Sequence, residues 1–305
     1  MQRCLQLARL GELHAAPNPM VGAVIVHDGR IIGEGWHRRC GQAHAEVNAV
    51  RSVRPEDVPL LKEATIYVCL EPCAHYGKTP PCAKLLAETG FRRVVVGCVD
   101  PFAKVQGRGI AILREAGIEV TVGLLEQECK ALNRKFFTMH TLQRPWITLK
   151  WAQSADGYID RQRNSRSDGE PTHFSTPFTQ MLVHRMRATH QAILIGRRTW
   201  ELDAPSLTTR RWAGDSPQRI VLTHQTDIPS LLRQLYERNV QSLLVEGGRQ
   251  TLQSFINAGL WDEVRIETSC ITLADGVPAP TLPLAEARMT TRTLRGGNKL
   301  TVVTR

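Results

Sequence analysis

Four residues in the first third of the chain have the types and spacing to do chemistry together. His44 and Glu46 lie two apart in "AHAEVNAV" (43–50), and Cys73 and Cys82 bound the stretch "CAHYGKTPPC" (73–82). One imidazole and two thiolates make three ligands for a divalent metal. They leave the fourth corner of a tetrahedron to solvent, as catalytic zinc sites do and closed structural sites do not. Cys82 follows Pro80-Pro81 and opens a helix, whose free amides and dipole favour thiolate, the form that binds metal. Glu46, beside His44 but not a ligand itself, is placed to move protons.

A lone His-x-Glu at a helix start is usually two polar residues on a solvated first turn. The full set reverses that reading. His-Ala-Glu followed by Glu-Pro-Cys after a strand, and by Pro-Cys at a helix start, is the zinc-deaminase constellation. There water attacks an amidine-like ring carbon, the glutamate protonates the ring nitrogen and ammonia leaves. The common signature separates its cysteines by two residues; here eight intervene, His75, Gly77 and Lys78 among them. His75 is then a substrate contact, a surface residue or a competing ligand. Iron in place of zinc stays open. The other six cysteines (Cys4, Cys40, Cys69, Cys98, Cys129, Cys270) read mostly as plain thiols.

Short apolar strands alternate with helical patterns throughout, which argues for an α/β protein. In the first half, strands are expected at 21–27, 30–36, 64–70, 92–97 and 118–123. Helices are expected at 2–10, 44–53, 82–89, 107–116 and 124–141. Asp28-Gly29 marks a hairpin turn. Arg144-Pro145 ends a helix, because the residue before proline disfavours helical angles. A domain boundary is therefore placed near residue 143, giving domains 1–143 and 144–305. The second half shows strands at 146–151, 191–195, 219–223, 242–245, 263–268 and near 299–304, with helices at 177–187, 229–238 and 250–258. No internal repeat relates the halves.

The chain has 305 residues, enough for two domains, and a net charge of +10 spread over both halves. No run of five or more like charges marks a nucleic-acid tail, and a diffuse positive field suits small anionic substrates. No apolar stretch approaches the ~20 residues that span a bilayer. The first residues lack a signal peptide's apolar core, so a cytoplasmic protein without membrane attachment is expected, its cysteines reduced.

"APNPMVGAVIV" (16–26), "GEGWHRRCGQAHAEVNAV" (33–50), "CLEPCAHYGKTPPC" (69–82), "GCVDPFAKVQGRGIAILREAGIEV" (97–120) and "LNRKFF" (132–137) together resemble the deaminase domain of the bifunctional riboflavin-biosynthesis deaminase–reductases. The likeness covers residues 1–143 nearly end to end. It implies that His44, Cys73 and Cys82 bind zinc and that Glu46 is the proton shuttle. By the same likeness Asn18, His37, His75, Lys78 and Asp100 line the substrate pocket. Phe102 departs from the asparagine that many members carry. The implied fold is a cytidine-deaminase-like three-layer αβα domain.

After residue 143, "KWAQSADGYID" (150–160) runs a strand into the Asp156-Gly157 turn. "AILIGRRTWELDAPSLTTR" (192–210) and "SLLVEGGRQTLQSFI" (242–256) each join a strand to glycine. Glycines between strand and helix let backbone approach a ligand, and a helix start favours phosphate. These features resemble the reductase half of the same family, which has a dihydrofolate-reductase-like α/β fold. The likeness implies Lys150 and Asp156 at the reaction centre, and Thr199, Asp203, Gly247 and Gly248 on NADPH. It implies Arg187, Leu207, Arg210 and Glu246 on substrate, the arginines matching phosphate geometry. His173 stands where tryptophan is frequent, and the domain looks trimmed. No clamp for a 2′-phosphate is identified, so NADPH rather than NADH rests on the likeness.

The expected activity is hydrolytic deamination of 2,5-diamino-6-(5-phosphoribosylamino)pyrimidin-4(3H)-one, then NADPH reduction to 5-amino-6-(5-phosphoribitylamino)uracil. The partner is a small phosphorylated pyrimidine rather than nucleic acid, and a homo-oligomer is expected. Rival readings are a deaminase with a degenerate reductase domain and a nucleic-acid base deaminase; the latter would need stacking aromatics, and aromatics are 6%.

Overall fold

The computed structural model describes residues 1–76, 80–102, 105–283 and 288–305. Lys78, expected at the substrate, lies outside the described residues. The chain divides into two compact units, Met1–Gln143 and Arg144–Arg305.

In the first unit, β1 (Gly22–His27), β2 (Arg30–Trp36), β3 (Thr65–Val68), β4 (Arg93–Val96) and β5 (Glu119–Val122) form one sheet in the order β2-β1-β3-β4-β5. β1 pairs antiparallel with β2 and β3, whereas β3–β4 and β4–β5 are parallel. Asp28 and Gly29 both have positive φ (45° and 74°), the two-residue turn whose twist matches a hairpin.

Helices cover both faces of this sheet. Ala23, Ile25, Ile66, Val68, Val94 and Val96 alternate along their strands onto one face. There they bury against Ala45 and Ala49 of α2 (Ala45–Arg51), Ala83 and Leu86 of α3 (Cys82–Thr89) and Leu113 of α4 (Arg108–Glu115). On the other face, Val24 and Cys69 meet Cys4, Leu5 and Ala8 of α1 (Gln2–Arg9), Cys129 of α5 (Glu126–Leu132) and Phe136 of α6 (Arg134–Leu142). This is the three-layer αβα arrangement expected. A side chain at Gly35 would put its Cβ 2.3 Å from the Ala49 nitrogen and 2.5 Å from the Ala45 oxygen, so glycine there lets α2 lie directly on β2.

One helix expected over 124–141 is two, α5 and α6. They break at Asn133, whose side chain accepts from the Met20 amide and donates to the Met20 carbonyl, both at 2.8 Å. That contact, 113 residues away in sequence, turns the chain out of helical geometry.

The second unit holds β6 (Trp146–Gln153), β7 (Tyr158–Asp160), α7 (Pro177–Ala188), β8 (Ala192–Gly196), α8 (Arg197–Asp203), β9 (Gln218–Leu222), α9 (Ile228–Glu237), β10 (Ser242–Val245), α10 (Arg249–Asn257), β11 (Glu263–Thr268), β12 (Val277–Pro278), β13 (Arg288–Thr293) and β14 (Lys299–Thr304). Its main sheet runs β13-β14-β11-β6-β10-β8-β9, and β12 pairs with β7. The five strands from β11 to β9 are parallel to their neighbours; β14 and β13 add antiparallel edges. β8 and β10 are buried along their whole length, as unbroken apolar runs in a parallel sheet must be. α9 and α10 bury Leu232, Leu235, Leu252 and Phe255 against Ile147, Leu149, Leu194 and Leu243. α8 and β13 were not expected. β13 is exposed at every residue and carries no apolar alternation to read. Among the described residues, no helix is long and apolar enough to cross a membrane.

Candidate functional site

Two clusters concentrate the chemistry, one in each unit. In the first, α2 starts immediately after His44, and α3 starts at Cys82. His44 Nδ1 lies 3.6 Å from Cys73 Sγ and 3.3 Å from Cys82 Sγ, and the three atoms fall within 4.8 Å of one another. Tetrahedral zinc with bonds of about 2.3 Å to sulfur and about 2.0 Å to nitrogen holds such ligands about 3.5 Å apart. The side chains therefore fit a zinc ion. The Cys82 amide, at the first turn of α3, donates to Cys73 Sγ at 3.2 Å. Hydrogen bonding from Cys82, then from His44, holds the Cys73 thiol far below its ordinary range, at about 4; the same hydrogen bond to Cys73, with burial, raises Cys82.

Glu46 is 3% exposed, and burial pushes its carboxyl up to about 7. His37 is buried and packs edge-on to His44, ring centroids 5.4 Å apart. Its Nδ1 meets the Ala43 carbonyl at 3.1 Å, and its Nε2 meets the Asn18 amide nitrogen at 3.1 Å. Donation at one nitrogen and acceptance at the other fit a neutral imidazole, and burial lowers its pKa. Asn18 and His37 are thus joined to each other. Asp100 is buried and raised to about 6 by that burial, and its carboxylate accepts from the Phe102 amide at 2.8 Å. His75 is exposed, with its ring 6.1 Å from Phe102, which in turn sits 5.0 Å from His140. An aromatic row stands where many family members carry asparagine.

Glu71 is the residue of this cluster that sequence reasoning missed. It is 4% exposed and accepts from four amides: Asp100 (3.2 Å), Gly107 (3.0 Å), Gly109 (3.0 Å) and Ile110 (3.3 Å). It satisfies the first turn of α4 and ties the Cys73 loop to it. A carboxylate before proline after a strand reads as a turn residue, so its only signal was its place in Glu-Pro-Cys.

In the second unit, a cavity of about 980 Å³ opens at the carboxyl ends of β6, β10, β8 and β9. That edge of a parallel sheet is where ligands bind in open α/β folds. Eight of the expected residues line it: Lys150, Arg187, Thr199, Asp203, Arg210, Glu246, Gly247 and Gly248. Thr199 Oγ1 accepts from the Gly248 amide at 3.1 Å, so these two hold each other. A Cβ on Gly247 would lie 2.7 Å from that of Thr251, so this glycine closes β10 onto α10 as well as facing the cavity.

Asp156 and Leu207 are not on the wall. Asp156 accepts from the Leu273 and Ala274 amides (3.2 and 2.7 Å) and pins that loop. Leu207 is 3% exposed in a cluster with Ile193, Ile195 and Leu244. Short polar spacing cannot distinguish a ligand contact from a turn that binds its own backbone.

Arg187 and Glu246 form an ion pair at 2.6 Å with side-chain exposures of 13% and 9%. Burial alone would raise the Glu246 carboxyl, but Lys150 and Arg187 outweigh it and hold it low. Arg187 Nε and Glu246 Oε1 are buried with no hydrogen-bond partner among the described residues; such orphans call for a polar ligand. His184, also on the wall, was missed: its Nδ1 accepts from the Arg210 amide at 2.9 Å. A histidine on an otherwise mixed helix gave no local sign of that role.

The cytidine and deoxycytidylate deaminase zinc-binding region matches residues 1–98, and the RibD C-terminal domain matches 145–230 and 225–283. Riboflavin biosynthesis protein RibD of Aquifex aeolicus (strain VF5) is 41% identical over 210 residues, covering 69% of this chain and 56% of that protein. The RibD of Escherichia coli (strain K12) is 42% identical over 210 residues, covering 69% and 55%. The chain spans little more than half the length of the curated relatives it matches. A diaminohydroxyphosphoribosylaminopyrimidine deaminase/5-amino-6-(5-phosphoribosylamino)uracil reductase of Thermotoga maritima superposes with a TM-score of 0.89 at 33% identity, over 100% of this chain and 97% of its own. Acinetobacter baumannii RibD, form 2, superposes with a TM-score of 0.86 at 29% identity, over 99% and 97%. Likeness of this extent takes in both units, and the chain belongs to the RibD family of riboflavin-biosynthesis deaminase–reductases.

Proposed function

We propose that the first unit hydrolytically deaminates 2,5-diamino-6-(5-phosphoribosylamino)pyrimidin-4(3H)-one, and that the second reduces the ribosylamino product to 5-amino-6-(5-phosphoribitylamino)uracil with NADPH. The convergence of His44, Cys73 and Cys82 within 4.8 Å, with Glu46 buried two residues from His44, carries this reading. Bound there, zinc supplies the Lewis acidity that makes water a competent nucleophile at neutral pH. Glu46 is not one of the three ligands; it carries one proton of the attacking water to the ring nitrogen, and then the proton of the added hydroxyl to the departing amine, which leaves as ammonia. Neutral His37 and Asn18 present hydrogen-bonding edges beside His44, and Asp100, with His75, completes the pyrimidine site.

The second step rests on the cavity of the second unit. NADPH supplies hydride to ribose C1′ of the open-chain form. The first-turn amides of α10 receive its phosphates, with Gly247, Gly248, Thr199 and Asp203 beside them. Arg187, Glu246 and Arg210 hold the phosphorylated ribose next to Lys150. The orphaned Arg187 Nε and Glu246 Oε1 are the groups a polar substrate would satisfy. Retention of this wall speaks against a degenerate reductase. We read the protein as cytoplasmic, in keeping with eight free cysteines, and as a homo-oligomer binding no nucleic acid.

The test is elemental analysis of the purified chain, coupled to ammonia release and NADPH consumption on the diaminopyrimidine phosphate. One zinc per chain with both products is expected. Metal bound without ammonia would overturn the first half of the reading, and ammonia without NADPH oxidation the second; light scattering checks the oligomer.

A further inference from the structure

Arg163 was assigned no role from the sequence, yet it is the most enclosed cation on the cavity wall, with a side-chain exposure of 5%. Its guanidinium joins two carboxylates from different elements. Nε and Nη2 meet Asp160 Oδ2, at the end of β7, at 3.0 and 2.6 Å, and Nη2 also meets Asp203 Oδ1, at the end of α8, at 2.5 Å. Nη1 donates to the Gly169 carbonyl at 3.3 Å, and the Arg163 carbonyl accepts from Arg198 at 3.1 Å. Asp160 Oδ1 is filled by the Thr172 amide (2.9 Å) and hydroxyl (2.8 Å) and the Arg161 amide (2.9 Å). Asp203 Oδ2 has no partner among the described residues.

The arrangement has two consequences. Asp160 and Asp203 both border the cavity, where two bare carboxylates would repel a phosphate-bearing ligand. Arg163 offsets half of that charge, and guanidinium does not lose its proton in proteins. It also fixes one Asp203 oxygen and leaves the other to accept from a hydroxyl.

We infer that Arg163 is a positioning residue of the cofactor site, holding Asp203 so that its free oxygen accepts a ribose hydroxyl of the bound dinucleotide while the guanidinium offsets one of the two carboxylate charges. This rests on the reading of the cavity as the NADPH site. Asp160 is the anchor that keeps Arg163 in place, and lysine cannot substitute fully, because a single ammonium does not match the geometry of a fork spanning two carboxylates.

The experiment is a double-mutant cycle read as the dissociation constant for NADPH, by calorimetry on the full chain, with R163M, D203N and R163M/D203N. R163M should weaken NADPH about tenfold or more, as loss of one partner from a buried charge pair does. In the D203N background the same change should weaken it at least about threefold less. Equal losses in both backgrounds, or an unchanged constant in R163M, overturn the proposal. Should R163M fail to fold, R163K goes through the same cycle under the same criterion. Wild-type protein that binds no NADPH would overturn the cofactor reading of the cavity and this role with it. Wild-type binding without coupling would remove Arg163 alone.

Discussion

The Cys82 amide lies 3.2 Å from the Cys73 sulfur, so the first turn of α3 holds the thiolate of the loop before it while presenting its own. Both soft ligands are thus set by one helix start. Cys73→Ser should therefore cost the bound metal, lowering its stoichiometry to a tenth or less of wild type. A metal present at about 100 times its dissociation constant stabilises the native state by about 2.7 kcal/mol, so chelation should lower the melting temperature of the wild type but not of the variant. Equal shifts in the two proteins would mean that these side chains hold no metal.

Glu46→Gln keeps the shape of the side chain and removes its basicity. Ammonia release should fall by about 10²–10⁴-fold, the usual contribution of a positioned acid–base group. Metal content, and NADPH oxidation on the already deaminated substrate, should stay at wild-type level. Deamination surviving near the wild-type rate would remove Glu46 from proton transfer.

Glu71 accepts from four amides, so Glu71→Ala leaves four donors without a partner. Stability should drop by about 3 kcal/mol or more, since hydrogen bonds to charged groups contribute about 1.5–3 kcal/mol each. Denaturant unfolding of the first unit measures this. A loss under about 1 kcal/mol would mean that the four amides find other acceptors.

His184 fixes the backbone that carries Arg210. His184→Ala should raise KM for the reductase substrate about tenfold with a smaller effect on kcat, as loss of binding shared by ground and transition states does. His184→Asn, whose amide oxygen can replace Nδ1 as acceptor, should recover most of the loss. Failure of that rescue would point to a role for the ring rather than for the hydrogen bond.

Acid should destabilise the second unit at the carboxylates. Burial alone would raise Asp160, but Thr172 and Arg163 outweigh it and hold the carboxyl below its ordinary range; Glu246 is held low in the same sense by Lys150 and Arg187. A group depressed in the folded state contributes stability above its unfolded pKa, near 4, and loses it as pH falls through the folded value. The denaturation midpoint of this unit should be insensitive to these groups from pH 7 to about 5, then fall below about 4. Asp160→Asn should flatten that fall, and an unchanged slope would exclude Asp160 as a source.

Much of the first site was legible because its signals are local. His44 and Glu46 at one helix start, Cys82 behind two prolines, and the Asp28-Gly29 turn each follow from neighbours within a few residues. The sheet strands were legible in both units for a similar reason, since burial imposes unbroken or alternating apolar runs. What only tertiary structure decided depends on partners far along the chain. Asn133 splits a helix because it binds Met20, Arg163 becomes a wall residue because α8 brings Asp203 to it, and β13 is a strand only through its pairing with β14. Asp156 and Leu207 belong with these, since whether such residues face a cavity or their own unit depends on how distant segments pack. Local sequence encodes backbone preference and the face a residue turns to its own element; which distant group fills that face is settled only when the elements assemble.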